Sequence, residues 1–230
     1  MLLHRPVVVG TDGSAQGDLA VRVGAFEACR RGVDLVLVHA AQSHLMGAGR
    51  RPNVSLGHAV EVARTVADDR VAVHPVPRTG PADGVLLDAS READLVVVGA
   101  HARGVMAEYV LGSVAWALVE RIDGPLVLTH TEGAALVARA PVVFGATNTA
   151  ADEPVRAFAA AEAELRDAPL VVADAAHPGL LVDAAAGAGL LVIGHRRRSR
   201  YDHHQAADRW TLRHAPCPVA MVPTQRPQTD

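Results

Sequence analysis

Four short runs of Val and Leu in the first half of the chain carry no polar residue at alternate positions: Val7-Val8-Val9, Leu35-Val36-Leu37-Val38, Leu95-Val96-Val97-Val98 and Leu126-Val127-Leu128. A strand that shows one face to water alternates. A strand covered on both faces does not, so these runs predict the inner strands of a parallel sheet. The segment Val71 to Val76 alternates and predicts a fifth strand. Between the runs lie Ala-rich stretches of helical length, Gln16 to Arg31, Ser55 to Asp69, Pro81 to Glu92 and Ser113 to Ile122. Ser14 and Ser55 are suited to cap helices, Pro81 to a first helical turn, and Gly32 and Gly124 to helix ends. The order strand, helix, strand repeated along the chain, with right-handed connections, predicts an open, doubly wound α/β sheet.

The pattern then returns. Pro6-Val7-Val8-Val9-Gly10-Thr11-Asp12-Gly13-Ser14-Ala15 has a counterpart in Pro141-Val142-Val143-Phe144-Gly145-Ala146-Thr147-Asn148-Thr149-Ala150. Likewise Ala93 to Gly99 has one in Ala188 to Gly194. Gly10 and Gly99 stand 89 positions apart, whereas Gly145 and Gly194 stand 49 apart. The missing stretch is about one helix, one strand and their loops, so the second half is expected to hold four strands. The domains expected are 1–132 and 138–230, joined by a short linker around Thr131 to Ala140.

Composition narrows the chemistry more than the fold. Of 230 residues, 25 are acidic and 22 are arginine or lysine, a near balance that argues against a nucleic-acid surface. All 22 of those cations are arginine. With no lysine there is no Walker A loop, no kinase strand lysine and no Schiff base. Cys29 and Cys217 stand apart, with neither a Cys-x-x-Cys pair nor zinc-ligand spacing, which fits a reducing compartment. The opening Met1-Leu2-Leu3-His4-Arg5-Pro6 lacks the cationic and apolar pattern of a leader, and no apolar run reaches the length of a membrane span. The expectation is an unexported cytoplasmic protein that contacts neither membrane nor nucleic acid.

Ligands of such sheets bind beyond the carboxyl ends of the strands where the winding reverses, here between strands one and four. Strand one ends in Gly10-Thr11-Asp12-Gly13-Ser14, which brings a carboxylate and a flexible turn to that crevice. Strand four ends in Gly99-Ala100-His101-Ala102-Arg103-Gly104, and Gly112-Ser113 follow at a helix start. A helix start offers backbone N–H groups and partial positive charge, which suit a phosphate without lysine.

On these residues the chain resembles the universal stress protein family, over most of its length. ATP-binding members carry an Asp after strand one and Gly-x-x-Gly, nine residues, Gly-Ser/Thr after strand four; Gly99, Ala102, Gly112 and Ser113 fall at those spacings, three of the four matching. The resemblance implies an α/β fold of two Rossmann-like (adenine nucleotide alpha hydrolase-like) open parallel sheets with flanking helices, the second half shortened. It implies ATP, with or without magnesium, as the ligand. Asp12 would contact the base or ribose, backbone near Ala40 the adenine, and Gly99, Gly112 and Ser113 the ribose and phosphates. Arg103 adds charge to a phosphate by our own reading. Ala102 departs from the motif, because its Cβ restricts positive φ and close approach of a phosphate.

In the second copy Thr147 replaces Asp12, Gln205-Ala206 stand near the Gly112-Ser113 place, and Arg196-Arg197-Arg198 and His203-His204 replace the glycines. Nucleotide is therefore expected in the first half only. His195, His203 and His204 lack metal-ligand spacing, His39 and His101 read as structural, and Trp116 and Trp210 read as core or interface residues. The function expected is ATP-dependent regulation in a stress response. A slow hydrolase using Asp12, and a scaffold that has lost nucleotide, stay open, because one fold hosts many activities. The last strands, Leu126 to Leu128 and Val219 to Val222, are expected to pair the halves as a pseudo-dimer, and homodimerisation stays open.

Overall fold

The computed structural model describes residues 5–41, 52–100, 111–131, 135–195 and 210–224. Backbone contacts group the chain into two units, Met1–Thr129 and His130–Asp230. Unit 1 contains β1 (Val7–Gly10), α1 (Ala15–Arg31), β2 (Leu35–Ala41), α2 (Pro52–Ala67), β3 (Val73–Thr79), α3 (Ala82–Ser90), β4 (Leu95–Gly99), α4 (Ser113–Arg121) and β5 (Leu126–Thr129). The strands lie in the order β3-β2-β1-β4-β5, and every pair is parallel. Val8 stands opposite Val36 on one side and Val96 on the other. With helices over both faces, the side chains of β1 and β4 are buried whichever way they point, so their unbroken apolar runs are what the location requires.

Local chemistry sets most of the boundaries. Ser14 caps α1 by accepting the N–H of Gly17, and Gly32 ends it in the left-handed region at φ 62° with its N–H on Ala28 and Cys29 carbonyls. Ser55 does not cap α2. That helix begins three residues earlier at Pro52, and a proline is tolerated in a first turn because the N–H it lacks has no partner there. Pro81 precedes α3 as its N-cap residue, in an extended conformation.

Unit 2 contains β6 (Val142–Ala146), α5 (Asp152–Leu165), β7 (Leu170–Asp174), α6 (Pro178–Ala184), β8 (Leu190–His195) and β9 (Val219–Pro223). Its order is β9-β8-β6-β7, again all parallel. The four strands correspond to β1, β2, β4 and β5, and the shortened segment lacks counterparts of α2 and β3. The architecture is therefore α/β, with open parallel sheets and flanking helices, and the second half is the smaller.

The two halves also share a buried ion pair. In unit 1 Arg31 bonds Glu27, and its Nε lies 3.3 Å from Asp94. In unit 2, at the same place in the repeat, Arg166 NH2 lies 3.1 Å from Glu162 Oε2, with both side chains 2% exposed. Four-residue spacing on a helix makes each pair possible, and burial makes loss of either partner costly.

Candidate functional site

The carboxyl ends of β1 and β4 are adjacent because these strands pair directly, Gly10 opposite Val98. Beyond Gly10 the chain turns sharply. Thr11 N donates to Val38 O (2.9 Å), and His39 Nδ1 lies 2.9 Å from Thr11 O, so the end of β2 holds the turn from one side. His39 is thereby accounted for structurally. Gly13 takes φ 71° and donates to Thr11 Oγ1. Asp12 is exposed, and its Oδ1 accepts from the backbone N (2.9 Å) and hydroxyl of Ser14. Asx geometry of this kind fixes the direction of the carboxylate.

Room for that carboxylate depends on Gly17. A Cβ there would stand 2.9 Å from Thr11 Oγ1 and 3.0 Å from Asp12 Oδ1. Across the crevice, a Cβ on Gly99 would stand 3.2 Å from Gln16 O, so glycine also lets the end of β4 lie against the start of α1. The buried Oε1 of Gln16 has no hydrogen-bond partner among the described residues.

Ala100 N donates to Thr129 O (2.8 Å) and Gly112 N to Ala100 O (2.7 Å), which ties the start of α4 to the end of β4. The Gly112 N–H is thus committed to the protein, and the donors left for a ligand at this helix start belong to Ser113 and the next residues. Gly112, as N-cap, supplies no side-chain acceptor to those N–H groups, and Ser113 is exposed. Ala40 lies two residues beyond the Gly10–Val38 pair, level with Asp12. Asp12, Ala40, Gly99, Gly112 and Ser113 accordingly gather at one edge of the unit 1 sheet. Ala102 and Arg103, with His101 and Gly104, lie outside the described residues.

The corresponding turn of unit 2 has the same backbone and the opposite chemistry. Asn148 takes φ 58°, as Gly13 takes 71°. Thr147 stands where Asp12 does, and Asp152 stands where Gly17 does. The Asp152 carboxylate, in a residue 6% exposed, accepts from Thr147 N (2.9 Å), Asn148 N (2.8 Å) and Thr147 Oγ1 (2.6 Å). Unit 2 therefore closes its own turn with an internal anion. Neither Asp152 nor Gly17 was singled out in the sequence, although aligning the two copies sets one upon the other. The Arg196 to Arg198, His203-His204 and Gln205-Ala206 segments lie outside the described residues.

The cysteines sit away from this edge. Burial pushes the Cys217 thiol up to about 12, and burial also raises that of Cys29, partly countered by the charge of Arg70. No helix among the described residues is long and apolar enough to cross a membrane.

An open parallel sheet with an acidic turn and an uncapped helix start at its switch point defines the class: an α/β domain of the kind that takes ligands at strand ends. Residues 4–130 match the universal stress protein family, and the chain belongs to it. It is 30% identical over 181 residues to a universal stress protein of Mycolicibacterium smegmatis, covering 72% of this chain and 62% of the relative, which is less than two thirds of that protein. Universal stress protein Rv2005c of Mycobacterium tuberculosis is 28% identical over a 240-residue alignment, with 94% of this chain and 78% of the relative covered. The crystal structure of a universal stress protein from Archaeoglobus fulgidus superposes with a TM-score of 0.72 at 10% identity, over 97% of this chain and 100% of that one, a likeness of fold.

Proposed function

We propose that unit 1 binds one adenine nucleotide, ATP, at the carboxyl ends of β1 and β4, and that occupancy regulates the protein in a cytoplasmic stress response. The observation that carries this reading is the contrast between the two turns. In unit 1 the carboxylate sits on the turn and faces solvent, with glycine behind it. In unit 2 the carboxylate sits behind the turn and consumes its donors.

The residues of unit 1 fit the ligand. Asp12, oriented by Ser14, accepts a hydrogen bond from the ribose or base, and backbone at Ala40 borders the adenine. Gly99 keeps the approach to Gln16 open, and Ser113 with the first N–H groups of α4 meets phosphate oxygens, aided by the helix dipole. By the motif that follows β4 in the sequence, Ala102 and Arg103 are assigned to the phosphate, Arg103 adding charge, and magnesium enters with the triphosphate.

The test is calorimetric titration of the full chain with magnesium ATP, alongside Asp12→Ala and Ser113→Ala, followed by product analysis. Saturable binding that both substitutions weaken, with ATP recovered intact, is the expected result. Phosphate released by the wild type and not by Asp12→Ala would make the chain a slow hydrolase. No heat at saturating ATP, with no nucleotide in the denatured protein, would make it a scaffold.

A further inference from the structure

We infer that β7 is a self-pairing edge, through which two copies of this chain join unit 2 to unit 2 as a continuous antiparallel sheet. The two units treat their outermost strands in opposite ways. Ala72 O accepts from Leu35 N and Gly80 N donates to Ala41 O, so the even-numbered residues of β3 face β2 and Val73, Pro75, Pro77 and Thr79 turn their backbone groups outward. Two of those four outward positions are proline, which has no N–H to offer. The edge of unit 1 is blunted in a way natural sheets use against pairing.

At β7, Pro169 O accepts from Val142 N and Ala175 N donates to Ala146 O, so Leu170, Val172 and Asp174 point outward. None is proline. Leu170 and Val172 are apolar, Val172 being 53% exposed, and Asp174 carries the one charge, at the exit of the strand. In unit 1 the residues at the places of Leu170 and Val172 are Leu35 and Leu37, both fully buried beneath the α1 and α2 layer. Loss of the α2 and β3 counterparts has thus uncovered a strand whose sequence is still that of a core. The helix beside it is uncovered too. Ala160, Ala163, Ala168 and Leu170, together with the acidic Glu164 and Asp167, border an open depression of about 710 Å³ on the α5 side, where α2 lies in unit 1. On the α6 side Leu180 is 63% exposed.

The occupant that fits is the same surface of a second copy. A twofold axis perpendicular to the sheet at Val172 sets Val172 opposite its own mate and Leu170 opposite Asp174, so each outward residue meets one with both groups to exchange. Charge selects the antiparallel sense. Arg139, bonded to Asp167, marks the entry of β7, and Asp174 marks its exit. Antiparallel pairing moves each Arg139 toward the other copy's Asp174, whereas parallel pairing would set Asp174 beside Asp174.

The experiment is the molar mass of the full chain by light scattering across a concentration series, for wild type, Val172→Pro and Val172→Lys. Proline at 172 removes only an outward donor, as Pro75 and Pro77 do in β3. Lysine keeps the donor and sets two like charges across the twofold. Circular dichroism and thermal unfolding establish that both variants are folded. The expected result is an even-numbered wild-type assembly whose mass is halved in both variants. A monomeric wild type would overturn the inference. An assembly that persists unchanged in both folded variants would place the contact elsewhere and overturn it equally.

Discussion

Replacing Gly17 by alanine separates what the first turn of α1 contributes to folding from what it contributes to binding. The new Cβ would fall 2.9 Å from Thr11 Oγ1, 3.0 Å from Asp12 Oδ1 and 3.3 Å from Asp12 N. Thr11 is 6% exposed and holds Gly13 N, so it has little freedom to move. Asp12 is exposed, so its side chain is the neighbour that shifts. Overpacking costs about 1–3 kcal/mol when neighbours cannot yield, and here one neighbour yields, so the low end applies. Alanine also gains about 1 kcal/mol over glycine in a helix. The two nearly cancel, and unfolding free energy should change by no more than about 1 kcal/mol. Binding has no such offset. A rotated Asp12 loses its orientation by Ser14 and one charged hydrogen bond to the ligand, worth about 1.5–3 kcal/mol, which is about tenfold to hundredfold in affinity. Calorimetric titration with ATP and urea denaturation of the same preparation measure both quantities. Gly57→Ala is the control, because no atom lies within 4 Å of its Cβ and it stands exposed in α2. It should stabilise by up to about 1 kcal/mol and leave binding alone. A Gly17→Ala protein that binds ATP as tightly as wild type would refute the placement of the ligand beside Asp12.

Three further outcomes follow from packing and burial. Gly24→Ala drives a Cβ into Val9 Cγ2, where α1 crosses the central strand; the unfolding free energy from denaturant titration should fall by about 1–3 kcal/mol despite the gain in helix propensity. Arg166→Ala removes the buried cation paired with Glu162 in unit 2, and denaturation should show a loss of about 3–5 kcal/mol. Cys217, with its thiol raised to about 12, has almost no thiolate at pH 8. An aromatic disulfide reagent should therefore modify Cys29 first, leave Cys217 until the protein unfolds, and react faster with Cys29 as pH rises.

Most of the architecture was legible because a doubly covered strand leaves a local signature. Val7 to Val9 and Leu95 to Val98 cannot be amphipathic, and nothing distant needs to be known to see it. The shortened second half was legible by counting, since deleting a helix and a strand removes a predictable length. Ser55 misled because a serine is a good cap wherever it stands, while Pro52, three residues earlier, starts the helix sooner. The turn carrying Asp12 was visible as a local string. Asp152 was not, because its role arises five residues beyond Thr147, when the first turn of α5 folds back over the loop. Nor did the runs reveal an open edge at β7. Val171 and Val172 look like any buried strand, and only the absence of a neighbour in three dimensions makes them surface.

One nucleotide per chain, held by unit 1, is the central requirement of the proposed function. Native mass spectrometry of the full chain in ATP counts bound nucleotide directly, for wild type and for the double substitution Asp12→Thr with Gly17→Asp, which gives unit 1 the turn chemistry of unit 2. One nucleotide per wild-type chain and none on the folded double variant is the expected result. Two per wild-type chain, or one that persists in the double variant, would contradict it.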